Sequence, residues 1–143
     1  MRISTKGRYS LEAMLYIALL PGDIYSSTRE IAEKTGISEG YLEQLFIPLR
    51  RAGFLCGIRG PQGGYLLGKP AKEIKVGSIV RSVEGPLQPT PCVQPNICPK
   101  QEFCTSRFTW SRLYIGINEC LDTISLQNLV DDFRSRHEPE YSI

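Results

Sequence analysis

Between residues 86 and 104 this chain cannot run as a regular helix. Pro86, Pro89, Pro91, Pro95 and Pro99 fall in that interval, and each removes a backbone donor and fixes φ, so the segment is a stiff loop. The same loop carries Cys92, Cys98 and Cys104 at equal spacing in the stretch CVQPNICPKQEFC. A stiff loop can aim three sulfurs at one point, and thiolate is a soft ligand suited to an iron–sulfur cluster or zinc rather than a hard cation. The spacing is looser than the C-x-x-C pairs of zinc ribbons, and three unpaired thiols or a disulfide are the other readings of the same residues.

Which of these readings applies depends on redox surroundings. A chain of 143 residues buries a core without covalent staples. Its five cysteines are an odd number; residues 1–10 lack a signal-peptide apolar region, and no apolar run approaches a membrane span. The expectation is a reducing, cytoplasmic setting with thiols free to ligate metal. The net charge of +2 does not announce a nucleic-acid binder, but its distribution is uneven. Arg2, Lys6 and Arg8 occur with no acid in residues 1–8, and Arg50, Arg51 and Arg59 with none in residues 50–59.

Ahead of the loop, the pattern is helical. Tyr9, Ala13, Met14, Tyr16, Ile17 and Leu20 recur at three- and four-residue intervals, and Pro21-Gly22-Asp23 ends the run. Ser27-Thr28-Arg29-Glu30 reads as a capping box for a short second helix that Gly36 stops. Ser38 then caps a third helix with Leu42, Leu45, Phe46 and Leu49 as its apolar stripe. Two short helices about a glycine turn form a helix-turn-helix, or else part of a plain helical bundle. The hairpin pattern that follows favours the former. Strands at 54–58 and 64–67, joined by Arg59-Gly60-Pro61-Gln62-Gly63, make a wing with Arg59 at its base. Arginine is well suited to a narrow, electronegative minor groove. On the third helix, Tyr41 and Gln44 are the natural base-edge and phosphate contacts, and Glu43 beside them rejects sites that offer it no donor. The DNA-facing set is therefore expected to be Ser38, Gly40, Tyr41, Glu43, Gln44, Arg50, Arg51, Arg59 and Gly60.

Residues 75–83 read as a fourth, amphipathic helix, and the run from Phe108 to Ile124 as a long one of about 18–20 residues, whose apolar face wants a partner chain. Ser125 caps a last helix with Leu126, Leu129, Val130 and Phe133, and the polar stretch from Arg134 onward is expected to be disordered. The fold expectation is mainly α: a winged helix-turn-helix at 1–85, a cysteine loop at 86–104, and a dimerisation helix, final helix and tail at 105–143.

The stretches MRISTKGRY at 1–9, SEGYLEQL at 38–45 and RGPQGGYLLG at 59–68, with the three spaced cysteines, resemble the winged-helix regulators that include the iron–sulfur regulator IscR, the nitric-oxide sensor NsrR and the cysteine-metabolism regulator CymR. The resemblance runs nearly end to end. It implies a homodimeric transcription regulator on double-stranded, palindromic DNA, carrying a [2Fe–2S] cluster on Cys92, Cys98 and Cys104 that alters DNA affinity or site preference. The family histidine three residues beyond the last cysteine is Arg107 here, and the acidic ligand that NsrR-type proteins take from a partner's first helix is Arg8. The fourth ligand is thus open among His137, Glu102, Cys120, expected to be buried on the dimer helix, and Cys56 in the wing. A cluster-free or zinc-binding thiol regulator is the alternative within this fold, and a small electron-transfer or metal-trafficking protein the alternative outside it. An electron carrier has no need of basic ends at Arg50, Arg51 and Arg59. One histidine, no phosphate loop and no Cys/His dyad leave no support for an enzyme.

Overall fold

The computed structural model describes residues 2–93 and 104–137. Helix α1 (Thr5–Leu19) opens with Ser4, whose hydroxyl accepts from the Lys6 amide at 3.2 Å. Helix α2 (Thr28–Thr35) is capped by Ser27, which accepts from the Glu30 amide at 3.1 Å. The expected box is only half made, because the Glu30 carboxylate turns to the Ser26 hydroxyl at 3.1 Å. Gly36, at φ 77°, closes α2 in the left-handed region that glycine adopts without steric cost. Ser38 then accepts from the Tyr41 amide at 3.2 Å and starts α3 (Glu39–Arg51).

Strands β1 (Leu55–Ile58) and β2 (Gly64–Leu67) pair antiparallel, Leu55 opposite Leu67 and Ile58 opposite Gly64. The hairpin does not hang free. The Ser26 and Tyr65 backbones exchange hydrogen bonds of 3.0 and 2.8 Å, and the Tyr65 ring lies 4.6 Å from that of Phe46 on α3. Helix-turn-helix and wing are thereby one body over a core of Ala13, Met14, Ile17, Ile31, Leu42, Phe46, Leu49 and Ile79.

Helix α4 (Val76–Glu84) packs beneath α1. Helix α5 (Arg107–Asp122) is 16 residues long, shorter than expected because Thr123 caps it before Ile124. None of its residues is buried. Its inner side chains Ile117 and Leu121 pack on Val76, Val80 and Leu87, while Phe108, Leu113 and Ile115 are 76%, 44% and 49% exposed. Helix α6 (Leu126–His137) begins with a reciprocal cap: Ser125 accepts from the Asn128 amide at 3.1 Å, and the Asn128 side chain accepts from the Ser125 amide at 2.9 Å. Residues 134–137, expected to be disordered, continue this helix, with Arg136 paired to Asp132. Among the described residues no helix is long and apolar enough to cross a membrane.

Candidate nucleic-acid interface and thiol loop

The buried stripe of α3 leaves Glu39, Gly40, Glu43, Gln44 and Ile47 on its outer face, all exposed, with Ser38 exposed at its start. Tyr41 behaves differently. It is half-buried, its ring edge-on to Tyr9 with centroids 5.8 Å apart and its hydroxyl 3.1 Å from Thr5 Oγ1, so the reading helix is pinned to the first turn of α1. At the other end of α3, Arg51 is exposed and the Arg50 guanidinium lies 6.0 Å from the Tyr65 ring centre, a cation–π distance. Arg59, expected at the base of the wing, stands instead with Gly60 exposed at its tip, because β1 ends at Ile58 and the turn begins there. The turn needs glycine at Gly63, where a Cβ would fall 2.1 Å from the Ile58 carbonyl oxygen. The structure thus puts Arg50, Arg51 and the exposed α3 side chains on one body with the wing, as a largely polar surface whose basic groups lie at the end of α3 and the wing tip.

The N-terminal basic turn is held by a contact with no counterpart in the local sequence pattern. The Glu84 carboxylate, at the end of α4, accepts from the Ser4 hydroxyl, from the Ser4 amide at 3.1 Å and from the Gly7 amide at 3.2 Å. Partial burial pushes this carboxyl up, but the Ser4 and Gly7 donors with nearby Lys6 outweigh it and hold the pKa below the usual range. Gly7 leaves room for this approach: a Cβ there would lie 2.9 Å from Ile3 Cγ2 and 3.3 Å from Glu84 Cγ, so those side chains would have to shift. One turn earlier on α4, Arg81 pairs with Asp122 and donates to Asn118 at 2.8 Å, and Asn118 donates to the Leu87 carbonyl at 2.9 Å, at the entrance to the cysteine loop.

Of the loop thiols, Cys92 and Cys104 are half-exposed and free of disulfide, and Cys98 lies outside the described residues, as does Glu102. Cys92 Sγ is 2.8 Å from Thr90 Oγ1. Cys104 Sγ is 3.5 Å from Ser106 Oγ, and the thiol pKa is lowered, first by that hydroxyl, then by the Ser106 amide and, less, by the Arg107 amide and charge. Among the described residues no group of three metal-ligating side chains gathers.

The other ligand candidates fall elsewhere. Cys120, expected to be buried, is exposed in the single chain, as is Cys56. Cys56 lies in the groove beside Arg50 and Arg51. Cys120 stands thirteen residues beyond Arg107 on α5, about 20 Å along the axis at 1.5 Å per residue, too far to meet Cys104 of the same chain. His137 stacks on Phe133 at 4.1 Å with Nδ1 at 2.9 Å from the Phe133 carbonyl. Arg8 is exposed on α1, and Arg107 begins α5.

Residues 3–132 match the Rrf2 family model, described as an iron-dependent transcriptional regulator. The chain is 39% identical over 132 residues to the HTH-type transcriptional regulator IscR of Sodalis glossinidius, and 40% identical over 132 residues to IscR of Pectobacterium atrosepticum; each alignment covers 92% of this chain and 80% of the relative. Among solved structures, IscR of T. potens superposes with a TM-score of 0.79 at 36% identity, covering 98% of this chain and 93% of that one. CymR of B. subtilis, a global cysteine regulator, gives 0.76 at 40%, covering 92% and 97%. The oxidised form of Staphylococcus aureus CymR gives 0.71 at 39%, covering 91% and 96%. With a capped helix-turn-helix, a wing docked on it, and relatives named as regulators rather than enzymes, the chain belongs to the Rrf2 family of winged-helix transcriptional regulators.

Proposed function

We propose that this regulator works as a homodimer on double-stranded, palindromic DNA and reports iron–sulfur status through a [2Fe–2S] cluster held by Cys92, Cys98 and Cys104. The observation that carries the reading is the state of the described loop thiols: both are free, half-exposed and hydroxyl-bonded, and Cys104 is biased toward the soft thiolate that such a cluster takes as ligand. The donor set fits. When bound, the cluster supplies a one-electron couple that an incompletely cysteinyl site leaves labile. The exposed Phe108 and Ile115, seven residues apart on one side of α5, supply apolar surface for a second copy, which would set two reading heads against a two-fold operator.

In this reading the DNA contacts divide by chemistry. Arg51 and Arg50 take phosphate, Arg59 and Gly60 enter the minor groove from the wing, and Ser38, Gly40, Glu43 and Gln44 face base edges and the flanking backbone. Tyr41 presents its ring edge while its hydroxyl is shared with Thr5. At the entrance to the loop Leu87 accepts from Asn118, which accepts from Arg81; three residues further along α4, Glu84 holds the α1 turn that pins Tyr41. Two discrete arrangements of that chain of contacts would let cluster occupancy bias α3.

Anaerobic purification with visible and Mössbauer spectra, followed by footprinting with and without cluster, tests the proposal. Colour lost on Cys92→Ala, Cys98→Ala or Cys104→Ala, with an altered footprint, is the expected result; full colour and two irons per subunit in Cys98→Ala would refute it. The lowered Cys104 pKa also suits a cluster-free thiol switch, and a solved relative exists in an oxidised form. That second reading predicts colourless protein whose DNA affinity follows peroxide treatment.

A further inference from the structure

Ser106 departs from the other serines that open helices in this chain. Ser4, Ser27, Ser38 and Ser125 each accept a first-turn amide, at 3.2, 3.1, 3.2 and 3.1 Å. Ser106 occupies the same position before α5 and makes no side-chain cap; its φ of −104° and ψ of −1° are already helical. Its hydroxyl is turned instead to two other groups, 3.0 Å from Trp110 Nε1 and 3.5 Å from Cys104 Sγ. An indole N–H only donates, so the Ser106 oxygen accepts from Trp110; toward a protonated Cys104 either atom can donate, but a cluster-bound thiolate has no proton and can only accept from the hydroxyl. Cys92 has a hydroxyl neighbour too, in Thr90, but among the described residues no indole or other donor fixes that hydroxyl as Trp110 fixes Ser106.

We propose that Trp110 and Ser106 are positioning residues for the Cys104 sulfur: the indole orients the hydroxyl, and the hydroxyl donates to sulfur and makes the bound cluster easier to reduce. The inference rests on the cluster reading above. Hydrogen bonds to ligand sulfurs help set cluster potential, because a donor offsets the negative charge that the site gains when it takes up an electron. The hydroxyl forgoes the amide cap for the indole, and that same contact sets it beside the sulfur.

The test uses the full chain, prepared anaerobically with its cluster and titrated with dithionite, which supplies one electron per cluster, under visible absorption. Ser106→Ala should lower the reduced-to-oxidised ratio about tenfold at fixed poise, ~59 mV for a one-electron couple. Trp110→Phe should shift it the same way by less, and Ser106→Thr should restore the wild-type value. A second readout needs no cluster. Trp110 is the sole tryptophan, so in cluster-free protein Ser106→Ala, which removes the acceptor of its N–H, should move the emission maximum, and Ser106→Thr should not. Wild-type protein without visible bands refutes the cluster reading and the tuning with it. Coloured Ser106→Ala with wild-type potential, or wild-type emission from the cluster-free variant, overturns the tuning alone.

Discussion

Replacing Glu84 by Gln should destabilise the fold at neutral pH and leave it nearly unchanged in acid. One carboxylate oxygen serves the Gly7 amide and the Ser4 hydroxyl, the other the Ser4 amide. Gln keeps one oxygen, sets an NH2 group against the remaining donor, and removes the charge at the positive end of α1. A hydrogen bond to a charged acceptor is worth about 1.5–3 kcal/mol; for a half-exposed group about 1–2 kcal/mol is appropriate after solvent screening. Loss of the helix-terminus interaction adds about 0.3–1 kcal/mol. The sum, about 1.3–3 kcal/mol, corresponds to a fall in Tm of about 4–10 °C for a chain of this size. Because the folded pKa is lowered, the stabilisation is complete above the ordinary carboxyl value of 4.5 and is lost as pH falls through the folded value. Circular-dichroism melts of wild type and Glu84→Gln at pH 7 and pH 3, at one protein concentration, measure the gap and its closure. Equal melting at pH 7, or a gap that persists unchanged at pH 3, would show that the charge on Glu84 does not hold the α1 turn.

Arg59→Ala, at the exposed wing tip, should weaken specific DNA binding by about 1–3 kcal/mol and flatten its salt dependence; titrations at several salt concentrations check both. Glu43→Ala should let cluster-free protein bind sites that otherwise require the cluster, with the visible spectrum intact; parallel affinities of the two proteins at both site types in gel shifts would remove Glu43 as a gate. Gly64→Ala sets a Cβ 2.3 Å from the Ser26 carbonyl oxygen, so the wing must leave α2. DNA affinity should fall, with slow hydrogen exchange lost at the Ser26 and Tyr65 amides.

The winged helix-turn-helix was legible before any coordinates because its signals are local. Ser27 and Ser38 sit three residues before the amides they cap, Gly36 supplies the left-handed residue between two helices, and the glycine turn between two short apolar runs makes the hairpin. Such features follow from φ preference, apolar period and short-range hydrogen bonding, which neighbouring residues decide among themselves. The three-cysteine pattern pointed to soft-ligand chemistry, which stands as a proposal: among the described residues no three ligating side chains gather, and Cys98 lies outside them. What the coordinates alone decided concerns side chains whose partners are remote or compete. Glu84 meets Ser4 across 80 residues and Arg81 meets Asp122 across 41, pairings that exist only once α1, α4 and α5 have packed. Tyr41 has the spacing of a DNA contact, yet α1 also claims its hydroxyl; Ser106 has the position of a cap, yet Trp110 and Cys104 draw its hydroxyl away. Chain-local rules tell what a residue can bond to, and tertiary packing selects among those partners, because every donor and acceptor goes to whichever complement the folded chain brings within reach.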